Sequence, residues 1–385
     1  MIAGRMPAAS PEFLMVWVLP AFAFAIGASI GSFLNVVIYR VPNGLSVNEP
    51  RRSFCPKCKT QIPMRYNIPL VTWLMLRGRC KWCQEPIAFR YFMVELLTGI
   101  VFLAVWVHSI DHLGLFGVVA LWVLVSLLIS ATFIDFDHFI IPDSITIGGT
   151  VAGVVASFAI PALHGKSVWW QGGVESLVGA AVGFVLIWLV VLMGKLVFGK
   201  IRHEFEEPTD FEISQPGGDE APILIRLGEH EYEWGDVFFR QWDRLEMDVK
   251  ELAFNDEPRE FESFVVLGDG FELDGDRVEL DAIQKVSGKI TRAVVPREAM
   301  GFGDVKFVAM IGAFLGWQCA VFVLFAASIV GAIVGLLQKF VGKEEWARPL
   351  PFGPYLALGA FIWIFTGPAI WFWYLGLLRS GAGME

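Results

Sequence analysis

The chain has 385 residues, of which 55% are hydrophobic and only 18% are charged, and its charges are unevenly distributed. Residues 201–298 hold 26 acidic and 11 basic side chains, whereas the rest of the chain holds 13 acidic and 19 basic ones. An acidic aqueous segment of net charge −15 therefore lies within a weakly basic, very apolar chain of net charge +6. This distribution excludes a disordered chain, a disulfide-rich miniprotein and a wholly soluble enzyme.

Eight apolar runs are long enough, or nearly so, to cross a bilayer as helices of about 20 residues. They are residues 13–38, 93–110, 114–134, 145–162, 174–198, 305–316, 319–338 and 354–378. The first run is too long for a cleaved signal peptide and has no basic start beyond Arg5. The 15 Trp and 33 Phe residues suit the aromatic belts of membrane interfaces. We therefore predict an all-α polytopic membrane protein with about eight transmembrane helices.

Lys and Arg residues indicate how these helices are oriented. Residues 41–92 contain nine of them. The loops on the opposite side contain only Arg5, Lys166 and Arg379. The positive-inside rule then places the 41–92 loop in the cytoplasm and both termini outside. The 201–298 segment and the chain around Asp135 and Gly303 are expected on the cytoplasmic side as well.

Four of the five cysteines form two Cys-x-x-Cys pairs in the basic loop. Cys55-Pro-Lys-Cys58 and Cys80-Lys-Trp-Cys83 are separated by 21 residues. Two intervening residues let both sulfurs of a pair point at one centre, so the pairs offer the four thiolates of a closed tetrahedral Zn²⁺ site. Redox pairs or unbound thiols are the alternative, but disulfides are disfavoured in the cytoplasm. We predict a structural zinc site, because a closed shell leaves no position for substrate water.

Two acidic residues at the edges of apolar runs are candidates for catalysis, because acids there are costly and usually functional. Asp135 lies in FIDFDHFIIPD, directly after the run 114–134, and Asp304 lies in GFGDVK at the start of the short run. Both ends are expected at the cytoplasmic face, so the carboxylates can meet at the same depth. In such a pair the ionised carboxylate draws a proton from water while the protonated one polarises a carbonyl. This arrangement predicts peptide hydrolysis without a covalent intermediate.

Further residues in these two motifs have less certain roles. Gly301 and Gly303 would let the backbone approach an extended substrate closely, and a simple turn at a helix start is the alternative. Asp143 directly precedes an apolar run and is expected to cap a helix. Asp137 would point away from Asp135 on a helix, so it is expected to be a solvated interface charge.

The 201–298 segment is expected to form a small acidic domain that is β-rich or α+β. ILIRL (223–227) and DVFF (236–239) are strand candidates. The turn signals GDG (268–270) and DG (274–275) flank FVVL and RVELDAI, which together indicate a hairpin.

Five segments of the chain carry a family resemblance. They are GSFLNVVIYRVP (31–42), SFCPKCKTQIPMRYNIPLVTWLMLRGRCKWCQEPIAFRYFMVELLTG (53–99), FIDFDHFIIPD (133–143), GFGDVKFVAMIGAFLGW (301–317) and PFGPYLALGAF (351–361). With them the chain resembles the bacterial type IV prepilin peptidases, which are bifunctional leader peptidases and N-methyltransferases of the aspartic GxGD membrane-protease type. A GxGD motif alone would be weak, but together these segments are very specific.

The resemblance implies a membrane aspartic endopeptidase that cleaves the basic leader from type IV prepilins or type II secretion pseudopilins at the cytoplasmic membrane face. By motif, the catalytic aspartates are Asp135 and Asp304. The cysteine loop belongs to the zinc-binding branch of the family, which methylates the new N-terminus with S-adenosylmethionine. The implied location is the bacterial inner membrane. The implied partners are the prepilins or pseudopilins, the lipid bilayer and the pilus or type II secretion assembly machinery, with no nucleic acid.

The sequence leaves the S-adenosylmethionine site open, because no glycine-rich cofactor loop of the Rossmann type is visible. Polar residues near the cysteine loop are candidates, namely Arg40, Asn67, Arg90 and Glu95.

The acidic segment departs from the family pattern, in which the corresponding link is usually short. A tolerated insertion is the interpretation we favour, since long surface insertions cost little free energy; a docking surface for basic leaders or for a secretion ATPase is the alternative. The expected organisation is a first transmembrane helix (13–41), a cytoplasmic zinc loop associated with methyl transfer (42–92), helices two to five with the first catalytic aspartate (93–200), the acidic insertion (201–298), and helices six to eight with the GxGD motif (299–380).

Three alternatives to a bifunctional enzyme are open. A protease-only prepilin-type peptidase would cleave without methylating. A proton-coupled transporter with a structural zinc loop would need acids at the centres of its spans, and here the spans are almost free of charge at their centres. An assembly scaffold that has lost catalysis is not indicated, because both aspartates and the GxGD glycines are present.

Overall fold

The computed structural model of the chain describes residues 17–50, 53–55, 57–215, 222–238, 243–255, 257–279, 285–296, 301–341 and 351–381. These form two compact units, Met1–Trp188 with Phe302–Glu385, and Leu189–Gly301. Arg5, and Arg51 and Arg52 of the 41–92 loop, which were used for the orientation, lie outside the described residues.

The described α-helices, in chain order, are α1 Leu19–Arg40, α2 Val71–Met75, α3 Phe89–His138, α4 Asp143–Ala159, α5 Trp169–Phe198, α6 Trp234–Val237, α7 Phe302–Leu315, α8 Trp317–Val341 and α9 Gly353–Gly381. Among the described residues, five helices are long and apolar enough to cross a membrane, namely α1, α3, α5, α8 and α9. The prediction of an integral membrane protein is therefore supported by these helices.

Helix α3 is a hairpin of two arms. Gly114 interrupts it with φ 65° and ψ −177°, a conformation that glycine adopts readily. Trp122 Nε1 donates a hydrogen bond to the carbonyl of Phe102 at 3.0 Å, and the two rings stack with centroids 4.8 Å apart. A continuous helix would separate these residues by about 30 Å. The arms, residues 89–113 and 115–138, therefore run antiparallel, as the two separate runs 93–110 and 114–134 predict.

Helices α4 and α7 are shorter than a bilayer-spanning helix, with 17 and 14 residues. Side chains from Asp304 to Phe314 on α7 are almost all buried. Helix α7 approaches α5 very closely, because a Cβ added at Gly312 would lie 2.2 Å from the carbonyl oxygen of Gly179. Small residues at helix contacts allow this kind of packing in membranes. Protein, rather than lipid, therefore covers the short helix.

The second unit contains a nine-stranded antiparallel sheet. Its strands are β1 Lys200–Ser214, β2 Leu224–Leu227, β3 His230–Glu233, β4 Arg244–Phe254, β5 Glu257–Arg259, β6 Phe264–Leu267, β7 Gly270–Leu273, β8 Asp276–Glu279 and β9 Lys285–Pro296. Their order is β3-β2-β1-β9-β4-β6-β7-β8, and β5 pairs with β4. Buried side chains of alternating strand positions form its core, including Phe211, Ile213, Ile225, Leu227, Leu245, Val266, Phe271 and Ile290. The unit is thus β-rich, one of the two expected classes.

Two details of this unit differ from the sequence predictions. DVFF is not a strand: Trp234–Val237 forms the short helix α6, and Phe239 lies outside the described residues. The side chain of Phe238, directly after this helix, packs on Trp234 one turn earlier, with ring centroids 4.5 Å apart. FVVL pairs with GFEL (270–273), which in turn pairs with the strand 276–279. The predicted hairpin is therefore a three-stranded meander, because both turn signals form turns and the residues between them form a strand.

Candidate active site and metal-binding loop

Asp135 and Asp304 lie close together, although 169 residues separate them along the chain. Asp135 is in the last turn of α3, and Asp304 is in the first turn of α7. Their side chains are buried, with exposed fractions of 5% and 8%. The two carboxylates are near enough to repel each other electrostatically. Helix α3 ends at His138, three residues after Asp135, because Phe139 takes up a left-handed conformation with φ 54°.

Gly353, at the start of α9, completes the surroundings of Asp135. Its backbone N–H donates a hydrogen bond to Asp135 Oδ2 at 2.9 Å. A Cβ added at Gly353 would lie 2.7 Å from the same oxygen, so only glycine allows this approach without a shift. Gly353 is not among the site residues predicted from the sequence. The available signal was the Gly-Pro pair of PFGPYLALGAF, which marks a helix start, where the backbone N–H has no partner within the helix.

The two glycines of GFGD occupy different surroundings. A Cβ added at Gly303 would lie 3.3–3.4 Å from backbone and side-chain atoms of Ile141, in the link between α3 and α4. Gly303 thus lets the first turn of α7 pack against that link. Gly301 is exposed and directly precedes α7. An approach of these glycines to an extended substrate stays a prediction.

The charged residues that flank the two aspartates are engaged in ion pairs. Asp137 pairs with Arg90 at the start of α3, and it is therefore more than a solvated charge. Asp143 pairs with Lys306 of α7. The prediction that Asp143 caps a helix is wrong in detail, because Pro142 occupies the N-cap position of α4 and Asp143 lies in the first turn. A carboxylate in a first turn still favours the helix dipole.

The two Cys-x-x-Cys pairs form matching turns in the loop between α1 and α3. In each turn the first cysteine accepts a hydrogen bond from the residue four positions later and donates one to the residue five positions later. The residues after the second cysteines, Lys59 and Gln84, both have positive φ values of 58° and 60°. These equivalent backbones direct two sulfurs from each turn toward one centre.

The four sulfur atoms lie within 4.8 Å of one another and could hold a metal ion. Cys55 and Cys83 Sγ are 3.8 Å apart. Sulfurs about 2.3 Å from a tetrahedral Zn²⁺ would be about 3.8 Å from each other, so this separation fits such an ion. The contact of Cys58 with Thr60 lowers the pKa of the Cys58 thiol to about 6. The backbone of Glu85 lowers the pKa of Cys83, but burial and the neighbouring cysteines together raise it to about 12, so the two thiols differ in how readily they form the thiolate that metal binding requires. Cys319 lies apart in α8 and is fully buried, as expected for a small packed residue.

A cavity of about 530 Å³ opens beside the cysteine turns, a size typical of small-molecule sites. Aromatic side chains contribute much of its wall, among them Tyr66, Trp73 and Trp82. The four polar candidates that the sequence left open, Arg40, Asn67, Arg90 and Glu95, all line it. Cys55 and Cys80 line it too, so the order of the cysteine turns and the shape of the cavity are linked.

Two of the polar residues also fix the cavity wall. The Arg40 guanidinium donates hydrogen bonds of 3.0–3.1 Å to the carbonyls of Ser46, Val47 and Pro50, and it is buried. Glu95 Oε2 accepts the N–H of Leu70 at 2.7 Å. Leu70 has a φ of 63°, a strained conformation for a branched residue that surrounding contacts must hold. Arg40 and Glu95 are therefore part of the wall itself.

Two family models match the chain. The Bacterial Peptidase A24 N-terminal domain matches residues 25–109, which contain the cysteine turns and the cavity. The Type IV leader peptidase family matches residues 122–200 and 280–336, which contain Asp135 and Asp304. Residues 201–279, which form β1 to β8 of the second unit, lie outside both models.

Individual relatives extend over nearly the whole chain. A protein from Myxococcus xanthus is 30% identical over 360 residues, which is 91% of this chain and 74% of the relative. A protein from Aeromonas hydrophila is 28% identical over 387 residues, which is 93% and 94% of the two chains. One from Legionella pneumophila is 26% identical over 383 residues, which is 94% and 96%. Each is named prepilin leader peptidase/N-methyltransferase. No solved structure matches the chain.

Proposed function

The chain belongs to the type IV leader peptidase family, and on this premise we propose that it cleaves the leader from type IV prepilins or type II secretion pseudopilins and methylates the new N-terminus. The observation that carries this proposal is the meeting of two buried carboxylates, Asp135 and Asp304, from two distant apolar helices. A buried pair of this kind is the arrangement that hydrolyses peptides in aspartic proteases.

The contacts of the pair suggest a division of labour. The N–H of Gly353 donates to Asp135, and such a hydrogen bond favours the ionised carboxylate. Asp135 is then the base that takes a proton from water while the water oxygen bonds to the scissile carbonyl carbon. Asp304 gives its proton to the carbonyl oxygen. When the tetrahedral intermediate collapses, the carbon–nitrogen bond breaks, Asp135 passes its proton to the leaving amine, and Asp304 recovers one from the hydroxyl.

We further propose that eight helices span the bacterial inner membrane, namely α1, the two arms of α3, α4, α5, α7, α8 and α9. The excess of Lys and Arg in residues 41–92 supports a cytoplasmic cysteine loop. The pairing of Arg90 with Asp137 brings the end of that loop to the same end of the α3 hairpin as Asp135. The cleavage site then faces the cytoplasm, where the basic leader of a prepilin lies. A prepilin's apolar helix could reach the carboxylates without leaving the bilayer.

The four cysteines are proposed to hold one structural Zn²⁺. The sulfur separations and the matching turns support this assignment. Four thiolates fill a tetrahedral shell, so the metal would stabilise the loop and would not activate water.

The cavity beside the cysteines is proposed to bind S-adenosylmethionine. Tyr66, Trp73 and Trp82 offer faces for the adenine ring, and Arg90 and Glu95 offer charges for the amino-acid end. When bound there, this group supplies an activated methyl group. The cysteine turns help to shape this cavity, since Cys55 and Cys80 form part of its wall.

A protease-only enzyme is the second candidate, and the cavity argues against it. Cleavage needs only the carboxylate pair, whereas the N-terminal part of the chain builds an ordered, partly polar cavity of about 530 Å³. A transporter is not favoured, because both buried acids lie at helix ends rather than at span centres.

Purified protein incubated with a leader-bearing prepilin and isotope-labelled S-adenosylmethionine tests the proposal. Mass spectrometry of the pilin N-terminus should show a product that has lost its leader and gained one labelled methyl group. A product that is cut but never methylated would indicate a protease-only enzyme. An uncut prepilin would contradict the proposal as a whole.

A further inference from the structure

The two proposed reactions act on the same chain end, so the amine freed by cleavage has to move from the carboxylate pair to the cavity. In the α3 hairpin, the first arm begins at the cavity and the second arm ends at the carboxylates. Arg90 lines the cavity. Asp137 lies two residues beyond Asp135. The side chains of Arg90 and Asp137 form an ion pair, and each is about one third exposed, at 33% and 34%.

This pair holds the hairpin together at the end where both sites lie. The stacked rings of Phe102 and Trp122 also join the arms, but they lie about 18 Å farther along the helices. The first turn of α3 and the cavity wall that it carries are thus fixed against the second arm by a contact that involves charge.

We propose that the Arg90–Asp137 ion pair is a positioning contact for methylation, which keeps the cavity aligned with the end of α3 where the new amine is released. This inference rests on the proposed function. Methyl transfer is sensitive to alignment, because reacting atoms must come within about 3–3.5 Å and a displacement of about 1 Å costs on the order of 10²-fold in rate. Cleavage depends less on this pair, because Asp135 and Asp304 are positioned by α3, α7 and the N–H of Gly353.

Asp137→Asn tests the inference, because Asp137 does not line the cavity. We expect cleavage within about twofold of the wild-type rate. The methylated fraction of the cleaved pilin should fall about two- to fivefold, the size of effect that a partly exposed ion pair supports. Asp137→Glu keeps the charge and should restore most of the methylation. Asp143→Asn removes a different ion pair, the one with Lys306 of α7, and neither of these residues lines the cavity. The methylated fraction should therefore be unchanged in this variant.

Hydrogen–deuterium exchange gives a second readout that needs no cofactor. In cofactor-free protein, the amides of residues 88–95 should exchange faster in Asp137→Asn than in the wild type or in Asp143→Asn. Unchanged methylation in Asp137→Asn, or an equal loss of cleavage and methylation, would overturn the inference. A wild-type protein that cleaves but never methylates would overturn the proposed methyltransferase function and this inference together, whereas wild-type methylation that survives in Asp137→Asn overturns the inference alone.

Discussion

Asp135 depends on a backbone contact from the far end of the chain. The N–H of Gly353 donates to its Oδ2 at 2.9 Å, and Ile141 packs beside Gly353. A buried carboxylate without such a donor would be much harder to ionise. Gly353 is therefore expected to support cleavage through its contact with Asp135.

Gly353→Ala is expected to lower the rate of leader cleavage by at least about tenfold. The new Cβ would lie 2.7 Å from Asp135 Oδ2 and 3.1 Å from Ile141 Cδ1, so either the carboxylate or the start of α9 must move, and small displacements at reacting groups are costly. The measurement is the initial rate of prepilin cleavage by purified protein.

Gly148→Ala in α4 is the matched control, because its added Cβ would meet nothing within 4 Å. It should cleave at the wild-type rate. A Gly353→Ala variant with wild-type cleavage would show that the contact to Asp135 is not needed for its function.

At the level of residues, the sequence indicated those with unusual chemistry for their position. Acids at the ends of apolar runs and four cysteines in two spaced pairs stand out without a structure, and the structure brings each set together. Gly353 could not be found in this way, because its role depends on a contact across 218 residues. Likewise, the ion pairs of Asp137 and Asp143 depend on how the helices pack.

At the level of elements, apolar runs predicted the long helices, whereas the strand candidates matched only β2, β6 and β8 of the described sheet. The break between the runs 93–110 and 114–134 is marked by Gly114, and the arms reverse there. DVFF has the composition of a strand, but Trp234 and Phe238 pack against each other one turn apart and a short helix forms. The strand GFEL was not predicted, because the turn signals on both sides of it indicated a loop.

The cysteine turns are the element whose loss should separate the two reactions. Cys55→Ser and Cys80→Ser are each expected to lower methylation several-fold more than cleavage, since both cysteines line the cavity and metal binding orders such small loops. Metal analysis of the wild type should give about one zinc per chain, and the variants should hold less. The measurements are zinc content and the cleaved and methylated fractions of pilin.

Cys319→Ala is the control, because Cys319 is buried in α8 away from the four-cysteine cluster. It should keep its zinc and its ratio of methylation to cleavage. An equal loss of both reactions in the Cys55 and Cys80 variants would mean that the loop supports the whole fold. Reduced, undenatured wild-type protein without zinc would contradict the metal assignment.

At the scale of the whole molecule, the β-rich unit has the features of an insertion that the rest of the chain does not need. Strands β1 and β9, near its two chain ends, pair with each other, and Lys200 lies opposite Pro296. The entering and leaving chains are therefore adjacent, as they would be for a unit inserted into a short link. Most of the unit also lies outside both family models. Long insertions with adjacent ends cost little free energy.

Deletion of residues 205–295 with a short Gly/Ser bridge is expected to retain both cleavage and methylation within about twofold. The bridge has to span about 13 Å along the strand direction, because Pro296 lies opposite Lys200, four residues before Glu204 in β1. The measurement is the cleaved and methylated fractions of pilin at matched protein levels in the membrane. Selective loss of cleavage for prepilins with strongly basic leaders would instead indicate that the acidic unit, with its net charge of −15 over residues 201–298, binds the leader.

The proposed function depends on Asp135 and Asp304 acting together on a peptide bond. The most direct measurement is leader cleavage by Asp135→Asn and Asp304→Asn, with Asp137→Asn and Asp143→Asn as controls of the same chemical change nearby. An amide can neither take the proton of water nor share one across the pair, so each of the first two variants should leave the prepilin uncut while the two controls cleave it. Full cleavage by Asp135→Asn or Asp304→Asn would contradict the proposed function. An Asp135→Asn variant that cleaves, together with an Asp137→Asn variant that does not, would also contradict it.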